Sequence, residues 1–251
     1  MNIKLTINLS FLTLIILATV VSAFGQGGGV ATIPLAEKII TIHAEKKCFG
    51  EIFAYLMIKY DVAFGFEEST LDRDNDDYSL LPNLPFKDDN GVSSYMFGGA
   101  KRLFTVHYDN GRLENILNDL VSQAPNYTWE ISDDVVNIYP IRGRDSSFRS
   151  LLNSNVGSFY LKKGKPVGLI RTELLALPEF GTFLKENGLF SSPLRGDLNF
   201  INRPLPSDLI FSNLTFRELL NKIAKSKRGG WILKQSDVAG SKEKIFIDIQ
   251  I

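Results

Sequence analysis

One apolar spacing occurs three times in this chain, and it has the period of an amphipathic helix. The occurrences begin at Phe49, Leu113 and Phe216, and each places apolar side chains at offsets 0, 3, 4 and 7. On a helix these offsets form one stripe, which must be buried against another layer. The spacing therefore predicts three helices that each pack on a sheet or on a neighbouring helix.

The match between the first two occurrences continues upstream of the helices. Ile40–Leu56 aligns with Phe104–Leu120 without a gap, and the only two histidines of the chain, His43 and His107, fall on the same position. A repeated strand–turn–helix unit is therefore predicted. We expect an α+β fold made of repeated β-α-β units with terminal β-hairpins, in which the helices pack on small mixed sheets.

Two hairpins are predicted from alternating apolar residues on either side of a polar turn. The first joins Tyr127–Ile131 to Val135–Tyr139, and the second joins Trp231–Lys234 to Lys244–Ile249. These hairpins end the two halves of the chain, which indicates that the second half restates the plan of the first.

Helix boundaries in the second half have their own signals. Helical spacing over Val167–Leu189 contains Pro178, which should end or kink a helix. Thr215 and Glu218 have the spacing of a capping box, so the third amphipathic helix is predicted to begin there.

The N-terminus has the pattern of a secretory signal peptide. Lys4 precedes an apolar run, and Val21–Ala23 is a small-residue cleavage sequence. We therefore expect an exported protein, periplasmic or secreted, with no membrane span after cleavage, because no later segment is apolar over the roughly 20 residues that crossing a bilayer needs.

Composition changes along the chain predict its domain organisation. The predicted parts are a signal peptide at 1–23, a flexible Gly-containing leader at 24–37, an α+β domain at 38–140 with a long insertion at 67–102, a polar linker at 141–150, and a second, divergent α+β domain at 151–251. Insertions of this length are uncommon in compact domains unless they are functional or mobile.

Residues 38–140 resemble the short N-terminal domain shared by secretins and TonB-dependent receptors. The segments that carry the resemblance are ITIHAEKKCFGEIFAYLMIKYDVAFGF, FTVHYDNGRLENILNDLVSQAPNYTWEI and VVNIYP. Residues 207–251 are similar to the second half of another copy, so the chain resembles a divergent tandem pair. In that family such modules dock to other envelope proteins, and the resemblance implies the same kind of role here.

Charge and cysteine content narrow the function classes. Lys plus Arg and Asp plus Glu both number 28, so the chain lacks the broad positive field of a nucleic-acid binder. Cys48 is the only cysteine, which excludes an internal disulfide. Two short basic runs, Lys162–Lys165 and Lys225–Arg228, are interpreted as surface charge, with an anionic polymer or lipid headgroup as the alternative partner.

The two histidines are one candidate metal site. If the repeated units pack side by side, His43 and His107 would approach each other, and zinc would need a further ligand such as Glu45, Asp109 or Cys48. The alternative is that both are partly exposed strand residues retained from the repeat.

The acidic run in the insertion is a second candidate metal site. Asp72, Asp74 and Asp76 place carboxylates at alternating positions, as in a calcium loop. The glycine and glutamate of the helix–loop–helix calcium motif are missing, so the alternatives are an irregular calcium loop and a solvated acidic loop.

Two further groups of residues are candidate sites. Cys48 begins the first helix, where a thiol can become nucleophilic, although a half-buried structural residue is the simpler interpretation. Tyr78, Phe86, Tyr95 and Phe97 lie in the insertion, and they either form a partner-binding patch or fold back as a cover.

These patterns favour an exported, non-enzymatic interaction module that docks to another cell-envelope protein, with no cofactor. The alternative is a periplasmic protein that binds a small ligand or a metal ion, calcium or zinc. A thiol enzyme built on Cys48 and His43 is a third hypothesis.

Overall fold

Two sets of strands and helices follow each other along the chain with the same connections. The computed structural model describes residues 33–71, 85–87, 93–95, 102–191, 204–238 and 241–250. The predicted signal peptide lies outside these residues. We call residues 39–140 the first copy and residues 155–250 the second copy.

The first copy contains two small sheets with helices packed on them. Its elements are, in chain order, β1 (Ile39–Lys47), α1 (Phe49–Tyr60), β2 (Ala63–Glu67), β3 (Pro85–Lys87), β4 (Ser93–Tyr95), β5 (Phe104–Arg112), α2 (Leu113–Gln123), β6 (Tyr127–Ser132) and β7 (Val135–Pro140). Strands β1 and β5 form an antiparallel pair, β6 and β7 form the predicted hairpin, and β2 runs parallel to β7. Strands β3 and β4 pair with each other inside the insertion.

The second copy repeats this wiring. It follows α3 (Ser146–Asn153), and its elements are β8 (Asn155–Leu161), α4 (Val167–Leu175), α5 (Pro178–Glu186), β9 (Phe190–Ser191), β10 (Leu209–Thr215), α6 (Phe216–Lys227), β11 (Gly230–Val238) and β12 (Ser241–Gln250). Strands β8 and β10 form an antiparallel pair, β11 and β12 form a hairpin, and β9 runs parallel to β12. The α+β class with repeated units and terminal hairpins is confirmed.

The helix boundaries follow the local signals. Pro178 occupies the first position of α5, where its missing N–H has no intrahelical partner to lose, and α4 ends just before it. Thr215 caps α6, because its side chain accepts a hydrogen bond from the Glu218 N–H while the Glu218 carboxylate accepts from the Thr215 N–H.

All three predicted apolar stripes are buried. The buried residues are Phe49, Ile52, Phe53 and Leu56 on α1, Leu113, Ile116, Leu117 and Leu120 on α2, and Phe216, Leu219, Leu220 and Ile223 on α6. The buried residues of one apolar cluster all lie in the first copy, with Ile232 of the second copy packed against them. The other is centred on the second copy but includes Ala63 and Val135 of the first, so the two copies share core residues.

The two copies are connected through one shared sheet. Strand β2 pairs in parallel with β11, which gives one six-stranded sheet in the order β6-β7-β2-β11-β12-β9, and Leu35–Ile251 forms one compact unit. The predicted linker at 141–150 already contains the start of α3. The physical reason is that β2 has a free edge, whose N–H and C=O groups are satisfied by β11.

The Gly65 backbone and the Trp231 indole ring lie close together where β2 pairs with β11, a contact region between the copies that we call the joint. Gly65 lies opposite Trp231, and a Cβ atom added at Gly65 would come within 2.3 Å of the Trp231 ring. The Trp231 side chain is buried and its Nε1–H donates to Asn221 Oδ1 at 2.8 Å. Glycine at position 65 therefore allows the second copy to pack against the first.

A buried ion network lies at the same joint. Glu67, at the end of β2, is 0% exposed, and its carboxylate accepts hydrogen bonds from Arg144 at 2.9 and 2.7 Å. Arg217 of α6 contacts the same carboxylate from the second copy. Paired charges of this kind satisfy a carboxylate that would otherwise be costly to bury. Glu67 thus belongs to the core of the joint, although the sequence placed it at the start of the insertion.

Candidate functional site

The two histidines face each other across β1 and β5. His43 and His107 are direct partners in the antiparallel register, and their ring centroids are 5.9 Å apart. Both lie on the exposed face, because Ile42 and Ala44 on β1 and Val106 on β5 turn toward the core. The structure therefore brings together the two residues that the repeat aligned.

Asp109 extends this pair on the same face of β5. Its Oδ1 lies 3.0 Å from Nε2 of His43, and both side chains are largely exposed. Asn110 follows with φ of 57° and its N–H donates to the Thr41 hydroxyl at 3.1 Å, which anchors the end of β5 to β1. Glu45 and Cys48, the other candidate ligands, are not in contact with the histidines by any described hydrogen bond or ion pair.

The second copy carries different residues at the position of the histidine pair. Tyr160 of β8 and Ile210 of β10 are direct partners in the antiparallel register. When helix α2 is aligned with helix α6, His107 aligns with Ile210. His43 is the cross-strand partner of His107, and Tyr160 is that of Ile210, so His43 is equivalent to Tyr160. Ile210 is 80% exposed and Tyr160 is 51% exposed, so this pair forms an apolar patch on the outer face of the sheet. We call it the β8–β10 patch.

Polar groups surround the β8–β10 patch. The Tyr160 hydroxyl donates to Asp208 at 3.2 Å, and the Lys163 N–H donates to the same carboxylate at 2.7 Å. The pKa of Asp208 is lowered, first by the hydrogen bond from the Lys163 backbone and further by Tyr160 and the charges of Lys162 and Lys163. Both lysines are exposed, so the rim of the patch carries positive charge next to one carboxylate.

Sequence reasoning missed the β8–β10 patch. Ile210 could have been found by extending the third helix pattern upstream, as was done for His43 and His107. Tyr160 could not, because five residues separate β8 from α4, whereas only Cys48 separates β1 from α1. The difference in loop length breaks the alignment at that point.

Cys48 is placed as a structural residue. It is the N-cap of α1 and is 2% exposed. Burial raises the pKa of its thiol to about 11, so the thiol stays protonated at neutral pH. Because the thiolate is the nucleophile, this environment disfavours the thiol-enzyme hypothesis.

Candidates in the insertion are only partly covered by the structure. Asp72, Asp74, Asp76, Tyr78 and Phe97 lie outside the described residues. The other two aromatic positions are in the short β3–β4 pair, where Phe86 is opposite Ser94 and Tyr95 is opposite Pro85. Phe86 and Tyr95 therefore occupy consecutive register positions of the pair. The partner-binding role of these aromatics remains a prediction.

The basic run Lys225–Arg228 faces the first copy. Lys225 is paired with Asp134, Arg228 Nη1 lies 3.3 Å from Asp61, and Lys227 is buried. Since Asp134 and Asp61 belong to the first copy, these exposed ion pairs lie between the two copies. Lys225 and Arg228 therefore have partners within the chain, and a role of the run toward an anionic polymer or lipid stays a prediction.

Within the described ranges, no group of three or more His, Cys, Asp or Glu side chains has the arrangement to hold a metal ion. The helices described here are also too short or too polar for any of them to cross a bilayer.

Comparisons with protein-family models, with curated proteins and with solved structures found no match.

Proposed function

We propose that the protein is an exported, non-enzymatic interaction module of the cell envelope, which docks to another envelope protein through the β8–β10 patch. The observation that carries the proposal is the direct cross-strand pairing of two exposed, mainly apolar side chains, Tyr160 and Ile210. Aromatic side chains with an apolar body and a polar tip are favoured at protein interfaces.

The surroundings of the patch support a docking role. Among the described strands, β8 and β10 pair only with each other, which leaves edge positions for an added strand, except at Gly157 of β8, whose N–H donates to Glu179 at 3.2 Å. Lys162 and Lys163 lie at the rim, where they favour a partner with acidic residues around an apolar centre. Strand β11 of the second copy pairs with β2 of the first, and the two copies share core residues, so the patch belongs to a packed unit.

The resemblance to the short N-terminal domain of secretins and TonB-dependent receptors supports the same proposal. Modules of that family act by docking to envelope proteins, and the tandem wiring of the chain is compatible with such a scaffold. Cys48, the only cysteine, is buried with a raised thiol pKa, which is the environment of a structural residue.

The test is cross-linked affinity capture from the cell envelope with identification by mass spectrometry, comparing three forms of the chain. The variant Y160S/I210S removes the patch. The variant I58S/L169S removes two apolar side chains of similar exposure, 56% and 54%, from other surfaces. We expect one envelope protein to be captured by the unmodified chain and by I58S/L169S and to be lost with Y160S/I210S. Equal capture by all three forms, or capture by none, would contradict the proposal.

A further inference from the structure

We propose that His43 and His107 form a surface site for a divalent transition-metal ion such as zinc, with Asp109 positioning the His43 ring. This inference is independent of the docking proposal, because it concerns the first copy. There, the position equivalent to the β8–β10 patch carries two histidines instead of mainly apolar side chains.

The first argument is the distance between the rings. Two imidazoles that bind one zinc ion through nitrogens at about 2.0–2.1 Å place their ring centroids roughly 5–5.7 Å apart at tetrahedral angles, which a small side-chain rotation reaches from the separation observed here. The centroids of His43 and His107 are 5.9 Å apart, with 37° between the ring planes. The β1–β5 register makes the two residues direct cross-strand partners, so both side chains start from adjacent backbone positions.

The second argument is the role of Asp109. Histidines that bind a metal usually donate the other ring N–H to a carboxylate or carbonyl, which fixes the tautomer and the ring orientation. Asp109 Oδ1 lies 3.0 Å from His43 Nε2 and can accept this hydrogen bond. The Nδ1 atom of His43 is then the metal ligand, together with one ring nitrogen of His107.

The third argument is the chemistry of the donor set. Imidazole suits zinc, copper and nickel, whereas calcium and magnesium prefer oxygen ligands. Two histidine ligands leave the remaining positions of the ion to water, because the described residues contain no group of three or more side chains that could hold a metal ion. Both rings are accessible from solvent, so the ion needs no entry path through the core.

The experiment is a calorimetric titration of the purified chain with zinc ions alone, on protein prepared without a polyhistidine tag. A parallel copper titration is followed by the ring-proton NMR signals, which are simple because the chain has only two histidines. We expect one zinc ion per chain, and both histidine signals to broaden together with copper.

Three variants separate this site from zinc bound elsewhere. H43Y/H107I installs the residues of the second copy and is expected to abolish binding. D109N is expected to weaken binding by about 10–100-fold, the usual cost of losing an orienting carboxylate. Y160H/I210H/S212D transfers the three residues to the second copy and is expected to add a second ion.

Unchanged melting temperatures without zinc serve as the folding check for each variant. The proposal is overturned if the unmodified chain binds no zinc at a concentration of hundreds of micromolar, or if H43Y/H107I binds as tightly as the unmodified chain.

Discussion

The first and second copies share their strand pairings but differ in what their outer faces present. At the same register position, β1 and β5 carry His43 and His107, whereas β8 and β10 carry Tyr160 and Ile210. The inward positions are apolar in both copies, and they are buried except on β10, where Leu209 and Phe211 are partly buried. The comparison indicates that the fold is specified by the inward residues, so the outward ones are free to differ in function.

The copies also differ in their helices and in the charges that they contribute to the joint. The first copy has the single helix α1 where the second has α4 and α5, divided before Pro178. The acidic residues of the joint come from the first copy, whereas their basic partners come from the second copy and, at Arg144, from the segment between the copies. The two copies are therefore complementary at the joint, which explains why they form one unit.

Breaking the joint should have the largest effect on stability. Glu67→Gln leaves two arginines without their buried carboxylate, and breaking a buried ion pair costs about 3–5 kcal/mol. We expect a loss of that size in the free energy of unfolding, measured by chemical denaturation. Glu114→Gln, which removes an exposed pair with Arg112, is the control and should change the free energy by less than about 1 kcal/mol. A similar loss of stability in both variants would contradict a buried ion network at Glu67.

Crowding the joint should have the next largest effect. Gly65→Ala places a methyl group against the Trp231 ring and should destabilise the fold by about 1–3 kcal/mol. The equivalent control is Gly157→Ala on β8, where an added Cβ meets no atom within 4 Å. Thermal unfolding of the two variants measures the difference, and equal melting temperatures would contradict the described packing.

Helix caps give a smaller contrast between the copies. Thr215 and Arg112 are N-caps of equivalent helices, but only Thr215 makes a side-chain capping hydrogen bond. Thr215→Ala should therefore cost about 1 kcal/mol, whereas Arg112→Ala should be close to neutral. Denaturant midpoints of both variants provide the test, and the reverse order would show that the capping box is not formed.

The Cys48 thiol, at the N-cap of α1, should show no reactivity in the folded chain. Because the thiol is buried and its pKa is raised to about 11, we expect no alkylation at neutral pH until the chain unfolds. A C48A/S122C variant moves the thiol to an exposed helix position and should be alkylated rapidly. Fast native alkylation at Cys48, followed by mass spectrometry, would restore the thiol-enzyme hypothesis.

Local sequence signals predicted much of the fold. The apolar stripe on each amphipathic helix, the turn between β6 and β7, Pro178 and the cap at Thr215 all act over a few residues. Their physical causes are helix periodicity, turn chemistry and capping, which can be recognised in a short stretch of sequence without knowledge of distant segments. The meeting of His43 and His107 was also predictable, because equivalent residues of two packed repeats can face each other.

The joint could not be predicted from the same signals. The pairing of β2 with β11 joins residues more than 160 positions apart, and neither strand has a local sequence feature from which its partner could be identified. Glu67 looked like the first charge of an acidic insertion, because its arginine partners are on α6 and after β7. The β8–β10 patch was hidden for a related reason, since a longer loop follows β8.

The most direct test of the account is site-specific photo-cross-linking in the cells that produce the protein. A photoreactive residue is placed at Ile210 in one variant and at the equivalent His107 in another, so the backbone position is matched between the copies. We predict a discrete cross-linked product with an envelope protein from position 210 and none from position 107. Products of equal yield from both positions, or from position 107 alone, would contradict the claim that the second copy carries the docking surface.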